Sequence, residues 1–190
     1  MRRSIKYLFL LAASLVALLA LAVFFVNRSV EQRLAKTYEV PIEPIEVPTD
    51  SAAIERGRHL VSTIFFCQEC HGEDLAGKPQ FSDPLSGTVS AKNLTPGAGG
   101  VGGTFRDADW VRAIRHGVDP DRRPLITMPS NFYYYIGDAD LGAIIAFLKG
   151  LPPVDNELPE RDLGLFYQLA ILSNPSLIPA EVIDHTAPRP

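Results

Sequence analysis

The sequence has few cysteines and only one long apolar run, and each shortage excludes a class of protein. Two cysteines in 190 residues are too few for a disulfide scaffold. One uncharged run, residues 7–26, reaches the roughly 20 residues that a membrane span needs, so the chain is not a polytopic membrane protein. The net charge of −4 lacks the basic excess of a nucleic-acid-binding protein. The glycine-rich residues 97–103 contain no G-x-x-x-x-G-K-[ST] pattern, which excludes a P-loop.

The N-terminal end has the charge pattern of a membrane anchor. Arg2, Arg3 and Lys6 precede the apolar run, and positive charge on this side of a first helix favours the cytoplasm. A cleaved signal peptide is the alternative, because Ala-Leu-Ala at residues 20–22 resembles a small-x-small cleavage site. The run continues to Val26 without a polar break, which favours an uncleaved anchor. Both interpretations export the rest of the chain.

A proline-rich segment follows the anchor. Pro41, Pro44 and Pro48 stand among apolar residues, and proline at this density favours extended polyproline II over helix. One interpretation is a semi-rigid spacer between the membrane and a folded domain. The other is that its apolar side chains lie along the domain surface and set the domain's orientation.

Residues 67–71 read Cys-Gln-Glu-Cys-His, a C-x-x-C-H motif, which is the attachment sequence of c-type haem. The Cys67 and Cys70 thiols at this spacing form thioethers to the two vinyl groups of one haem, and His71 becomes the proximal iron ligand. A thioredoxin-like redox pair, half a zinc site and a local disulfide are alternatives, but no βαβ pattern or second cysteine pair accompanies them. Export favours haem, because this attachment takes place outside the cytoplasm. One motif predicts one haem c.

The iron of an electron-transfer haem usually takes a second axial ligand. Met128 is the single methionine besides the initiator, so we predict His71 and Met128 as the metal ligands. The other three histidines are the rival ligands. His59 is expected to be exposed on a helix, His116 to be favoured as a cation at a helix C-terminus, and His185 to lie in a tail outside the haem domain.

Together these motifs resemble a class I c-type cytochrome, an all-α fold with three or more helices around one covalently bound haem. The sequence is most similar to membrane-associated bacterial cytochromes, such as the cytochrome subunits of alcohol and gluconate dehydrogenases, and to the first domain of dihaem relatives. Seven stretches carry the resemblance: residues 56–61, 67–72, 93–96, 107–110, 115–117, 128–130 and 138–154.

The resemblance implies roles for residues outside the C-x-x-C-H motif. Asn93 and Thr95 would pass the haem propionates. Trp110 is interpreted mainly as a core residue, with a propionate contact as the alternative. The first and last helices of this fold cross closely, and Gly57 against Phe147 is the expected contact.

Apolar periodicity predicts three helices, over residues 52–66, 104–115 and 138–149. Their expected N-terminal caps are Asp50 or Ser51, a capping box of Thr104 with Asp107, and Asp138. The glycine- and proline-rich residues 72–103 should wrap without regular structure.

Four segments follow from these patterns: an anchor and its helical extension in residues 1–37, a linker in 38–51, a cytochrome domain in 52–153 and an apolar, acidic tail in 154–190. The uncharged residues 163–172 are too few to span a membrane. We expect them to pack on the domain, on a partner or at the bilayer surface.

The sequence therefore predicts an electron carrier rather than an enzyme. Its one low-spin haem would pass single electrons between a membrane or periplasmic donor and acceptor in a respiratory or dehydrogenase chain. The expected location is the bacterial inner membrane, single-pass, with the haem domain in the periplasm. Redox proteins are the expected partners, such as a membrane dehydrogenase or a quinol-oxidising complex. Two alternatives stay open: a haem enzyme or gas-binding sensor in which Met128 dissociates, and a subunit that only tethers a larger complex.

Overall fold

The computed structural model describes residues 2–189 and places most of the core on helices around one cavity. Within these residues there are seven α-helices: α1 (Arg2–Ala35), α2 (Ser51–His59), α3 (Cys67–His71), α4 (Asp107–His116), α5 (Ser130–Tyr133), α6 (Asp138–Lys149) and α7 (Leu165–Ser173). A π-helical turn (Leu60–Ile64) continues α2, and two 3-10 turns (Pro175–Leu177 and Pro179–Glu181) follow α7. Three antiparallel strands form one sheet in the order β1 (Lys78–Asp83), β2 (Gly87–Ala91) and β3 (Asp162–Leu163).

Helices α2 and α6 cross at Gly57. A Cβ atom on Gly57 would lie 3.0 Å from the Cβ of Phe147 and would overlap the carbonyl oxygen of Ala143. A side chain would therefore separate the helices, and glycine allows the backbones to meet. The contact is the one that the sequence predicts between Gly57 and Phe147. The apolar stripe of α6 is buried in the main core cluster: Leu141, Ile144, Ile145 and Leu148.

The N-terminal cap of one helix is the one predicted from the sequence, and the caps of two other helices differ from the prediction. Asp50 caps α2, since its carboxylate accepts a hydrogen bond of 2.9 Å from the Ala53 N–H. Helix α4 begins at Asp107 instead of Thr104, because the Asp109 carboxylate accepts the N–H of Arg106 at 3.0 Å while the Thr104 hydroxyl donates to a preceding turn. The N-cap of α6 is Gly137, so Asp138 is already the first helical residue.

The expectation that residues 72–103 lack regular structure is wrong, because strands β1 and β2 form a hairpin there. Gly87, with φ of +83°, follows the turn. Phe81 pairs with Val89 across the hairpin, and the Phe81 ring lies 4.8 Å from the Tyr167 ring of α7. The hairpin is thus held by a distant helix and by β3, contacts that local composition does not show.

The proline-rich linker folds back onto the domain. Ile42, Ile45 and Val47 pack against the main core, and the Glu46 carbonyl lies so close to α6 that a Cβ on Gly142 would overlap it. Polyproline II has three residues per turn, so Ile42 and Ile45 fall on one face. The structure contradicts the spacer interpretation and supports the alternative, in which apolar side chains lie along the domain surface.

The C-terminal tail packs against the last turns of α1. Val30 is buried with Tyr167, Ile171 and Ile178 in a second apolar cluster. The Arg33 guanidinium donates 3.0 Å to the Glu181 carboxylate and 2.6 Å to the Ile171 carbonyl.

Helix α1 therefore has two parts. Its N-terminal part is exposed, and by length and composition the helix is apolar enough to cross a membrane. Its C-terminal turns belong to the folded domain. The boundaries between segments 1–37, 38–51, 52–153 and 154–190 stay predictions, and packing extends across all three of them.

Candidate functional site

A distorted segment between α2 and α3 places the C-x-x-C-H motif against the cavity. The α-helical pattern of α2 ends at His59, and the Phe65 N–H bonds the Leu60 carbonyl at 2.9 Å in a π-helical turn. Phe66 then takes a left-handed conformation with φ of +50°, which costs a residue with a side chain roughly 1 kcal/mol. Helix α3 starts immediately afterwards. The predicted helix over residues 52–66 thus breaks just before Cys67.

The His71 side chain is oriented by a backbone carbonyl. Its Nδ1 lies 2.7 Å from the Lys92 carbonyl oxygen. A carbonyl only accepts hydrogen bonds, so Nδ1 carries the proton and Nε2 keeps its lone pair. Burial lowers the pKa of His71, and the hydrogen bond to the Lys92 carbonyl opposes that effect. The imidazole is therefore held neutral in the tautomer that a metal ligand requires, with the outer hydrogen bond that usually accompanies such ligands.

Cys67 and Cys70 are half-buried free thiols, and both line the cavity next to His71. Burial raises the pKa of the Cys67 thiol to about 11, with the neighbouring Cys70 adding to the rise. The thiol in this state is protonated and a weak nucleophile. Cys67 thus lacks the low pKa that marks a reactive redox cysteine.

The cavity has a volume of about 720 Å³ and mostly apolar walls, within the range of cofactor sites. Met128 lines it together with Cys67, Cys70 and His71. The Met128 loop is held from two sides: the Thr127 N–H bonds the Leu177 carbonyl of the tail at 3.0 Å, and the Ser130 hydroxyl bonds the Ala113 carbonyl of α4 at 3.0 Å. The structure therefore brings all four predicted attachment and ligand residues to one space.

Of the other predicted site residues, only Trp110 lines the cavity. Asn93 and Thr95 are fully buried and off the cavity wall, and both side chains donate to the Val154 carbonyl, at 2.8 and 3.0 Å. These bonds fasten the loop to the start of the tail, and the propionate role stays a prediction. Trp110 is buried and lines the cavity, and its Nε1–H has no hydrogen-bond partner among residues 2–189.

The rival histidines do not line the cavity. His59 is exposed, as expected. The expectation that His116 is a favourable cation is wrong: the side chain is buried, and burial lowers its pKa to about 4, with the neighbouring His185 as the next cause. The Nδ1 atoms of His116 and His185 are 2.9 Å apart, so the tail histidine is part of the domain rather than outside it.

Sequence reasoning missed the charged part of the cavity lining. Lys92, Arg123 and Arg161 contribute to it together with Asp119 and Glu160, and the tail segment of residues 158–161 forms part of the wall. No local motif marks these residues, because they converge from a strand end, a loop and the tail.

Comparison with known proteins supports the interpretation of this cavity as a haem c site. Residues 54–152 match the family model described as Cytochrome c. The chain is 34% identical over 129 residues to a nicotinate dehydrogenase subunit of Pseudomonas putida, covering 65% of this chain and 11% of that protein. It is 29% identical over 130 residues to the fructose dehydrogenase cytochrome subunit of Gluconobacter japonicus, covering 65% and 26%. It is 31% identical over 133 residues to the gluconate 2-dehydrogenase cytochrome c subunit of Pantoea cypripedii, covering 64% and 30%. The chain spans less than a third of the length of each of these relatives.

The residues present fit the haem c that this family implies. Two free thiols at the attachment spacing, an imidazole with an available Nε2, a thioether sulfur and an unpartnered indole N–H all surround one apolar space. The family match covers more than half of the 190 residues. The predicted helical class and the predicted resemblance to dehydrogenase cytochromes are confirmed, and the chain belongs to the cytochrome c family.

Proposed function

We propose that the chain is a membrane-anchored c-type cytochrome that carries single electrons through one haem. Cys67 and Cys70 attach the haem covalently, and His71 and Met128 are its axial ligands. The observation that carries this proposal is that all four side chains line one apolar cavity while a backbone carbonyl holds the His71 ring. The bound haem supplies the one-electron chemistry, by cycling between ferrous and ferric iron.

The protein contributes ligand identity, burial and orientation. The Lys92 carbonyl keeps the proton of His71 on Nδ1, which leaves Nε2 for the metal. The Met128 sulfur, a soft ligand, favours the lower oxidation state and raises the reduction potential. The apolar wall excludes water from the ring face. If His71 and Met128 both bound the iron, no open site would remain for oxygen chemistry, so the proposed role is electron transfer rather than catalysis.

The proposed location is the outer face of a bacterial inner membrane. Arg2, Arg3 and Lys6 precede the apolar part of α1, so the N-terminus would stay in the cytoplasm and the haem domain would face the periplasm. Relatives are named as cytochrome subunits of fructose and gluconate dehydrogenases. A membrane dehydrogenase or a quinol-oxidising complex is therefore the proposed redox partner.

The ligand assignment is tested by Met128→Leu, which keeps an apolar side chain of similar volume but removes the sulfur. We expect unchanged covalent haem, because Cys67 and Cys70 are intact, loss of the ferric sulfur-to-iron charge-transfer band, and a potential lower by on the order of 100 mV. Ile126→Ala, two residues earlier on the same wall, is the matched control for lost packing.

The same measurements separate the alternatives. A potential unchanged in Met128→Leu would show that another residue is the sixth ligand. Rapid carbon monoxide binding by the wild-type protein would support a haem enzyme or gas sensor instead. Full partner turnover after Cys67→Ala with Cys70→Ala, which removes covalent attachment, would support a tethering subunit in which haem is dispensable.

A further inference from the structure

An exposed apolar patch lies beside the anchor helix. Its four members are all large apolar residues with substantial exposure. Three belong to α7, namely Leu165 (42% exposed), Phe166 (66%) and Leu169 (47%), and the fourth is Leu85 (73%) of the β1–β2 turn. We call them the tail patch. The Phe166 N–H bonds the Leu85 carbonyl at 3.2 Å, so the turn and the helix form one surface. No charged residue occurs between positions 163 and 172.

The opposite side of α7 is already occupied by the anchor helix. Tyr167 and Ile171 are buried with Val30 of α1, and Arg33 donates to the Ile171 carbonyl. The tail patch is therefore the remaining side of a helix that is fixed to α1. It has no packing partner among the described residues, although it is as apolar as the buried side.

The position of the contact between α7 and α1 determines its depth relative to the bilayer. The apolar run ends at Val26, and Val26 and Asn27 are already half-buried by the domain. Val30 is four residues further, about 6 Å at the rise of an α-helix. The polar interface of a bilayer extends roughly 5–7 Å beyond its hydrocarbon core. Helix α7 thus contacts α1 at the level of the lipid headgroups.

We propose that the tail patch is seated in the membrane interface, where phospholipid covers Leu165, Phe166, Leu169 and Leu85. The inference rests on the proposed anchoring of α1. Helices with one apolar side lie in the interface with that side buried about 5–10 Å. Because α7 carries no charge, its insertion depends on apolar burial and is independent of anionic lipid.

A second membrane contact orients the haem cavity. The spanning part of α1 alone leaves the domain free to tilt relative to the membrane, whereas α1 and the tail patch together restrict this tilt. Leu34 of α1 lines the cavity, eight residues beyond Val26 or about 12 Å along the helix. The cavity is therefore held close to the bilayer, within reach of a membrane-embedded donor.

The test is the depth of a nitroxide label on the full-length holoprotein in phosphatidylcholine nanodiscs, one copy per disc. The label is placed at Phe166→Cys, with Leu169→Cys as a second position if the first variant does not fold. Phe132→Cys in α5, where the side chain is 74% exposed, is the control away from the anchor, and Leu15→Cys in α1 reports the span. Cys67 and Cys70 are thioether-linked in the holoprotein, so only the new thiol reacts.

We expect the ratio of oxygen to nickel-chelate collisions at Phe166 to be about threefold above that at Phe132, as for an interfacial position. The ratio should stay the same when phosphatidylglycerol replaces a third of the lipid. A Phe166 label as wet as the Phe132 label, with Leu15 in lipid, overturns the proposal but leaves the anchor intact. Protection from both reagents means that protein covers the patch, which also overturns it. A wet Leu15 label overturns the anchoring itself.

Discussion

At the scale of single residues, a few atoms decide whether the site and its frame exist. The Lys92 carbonyl selects the tautomer of His71, and Gly57 lets two helix backbones meet. Each effect is local, depends strongly on distance and can be removed by a single substitution.

The first residue-scale prediction concerns the helix crossing. Gly57→Ala would force a methyl group into the Ala143 carbonyl, so α2 and α6 must separate. We expect a loss of roughly 1–3 kcal/mol in the free energy of unfolding, as for other overpacked sites. Gly150→Ala is the matched control, because its added Cβ would meet its nearest neighbour at an ordinary 3.5 Å. Urea denaturation of the two variants measures the difference, and equal stability would contradict the crossing.

The second residue-scale prediction concerns Arg161 in the charged part of the cavity lining. Arg161 is exposed and lines the cavity, so removing its charge should stabilise the more positive, oxidised haem. We expect Arg161→Gln to lower the reduction potential by roughly a few tens of millivolts, and less at high salt, since exposed charges are screened. Arg58→Gln, on α2 and paired with Glu55, is the control. A potential equal in both variants would mean that Arg161 does not act on the haem.

At the scale of elements, the linker shows how proline supports packing. Polyproline II has no internal hydrogen bonds, so the extended strand is held by what its side chains contact. Ile42 and Ile45 supply these contacts against the main core, while Glu39 and Glu43 pair with Arg122 and Arg189.

The linker is therefore expected to stabilise the fold rather than to set a distance. Ile42→Ser combined with Ile45→Ser should lower the free energy of unfolding by roughly 1–3 kcal/mol, because both side chains lose apolar burial. It should also expose the linker to proteases. Glu46→Ser is the control, since this side chain is exposed in the same segment. Thermal unfolding and limited digestion with proteinase K, which needs no Lys or Arg, are the measurements, and a double variant as stable as the control would restore the spacer interpretation.

At the scale of the whole molecule, a histidine pair, with His116 buried and His185 half-buried, joins three segments. His116 of α4 contacts His185 of the tail, its ring packs edge-on against Tyr134, and the Pro41 carbonyl of the linker lies near enough to affect its pKa. Arg112 and Arg115 on the same helix further disfavour a charged imidazole. Protonation of His116 therefore opposes the attachment of the tail, whereas the hydrogen bond to the Pro41 carbonyl of the linker favours the protonated form.

This pair predicts a pH dependence of stability. The pKa of His116 falls from 6.5 to about 4 on folding, so the folded state binds fewer protons than the unfolded state between these values. The contribution of His116 to stability should be level above pH 7, fall as the pH drops from 6.5 to 4, and be level again below, for a total of roughly 2 kcal/mol after allowance for solvent screening. His116→Gln should flatten this part of the curve, whereas His59→Gln, at an exposed position, should not. Urea midpoints measured across this range decide it, and identical curves for the two variants would contradict the prediction.

The sequence by itself indicated the proposed haem chemistry and the candidate membrane helix. Cys67, Cys70 and His71 lie within five consecutive residues, so their relation to one haem follows from covalent spacing alone. Met128 could be named because it has no competing methionine beyond the initiator. The apolar run and the stripe of α6 are periodic and uninterrupted, and such patterns survive any tertiary context.

The tertiary structure alone decided what the linker, the hairpin and the tail do. Tyr167 is buried, and Ile42 and Phe81 are partly buried, by partners far away in sequence, whereas the proline or glycine content near the last two suggests only loops. Burial and the neighbouring His185 of the tail lower the pKa of His116, an effect that the sequence of α4 by itself does not contain. Local spacing determines covalent and helical chemistry, whereas burial depends on which distant segments meet. Here the hairpin and the tail line the cavity, and the linker packs against the main core.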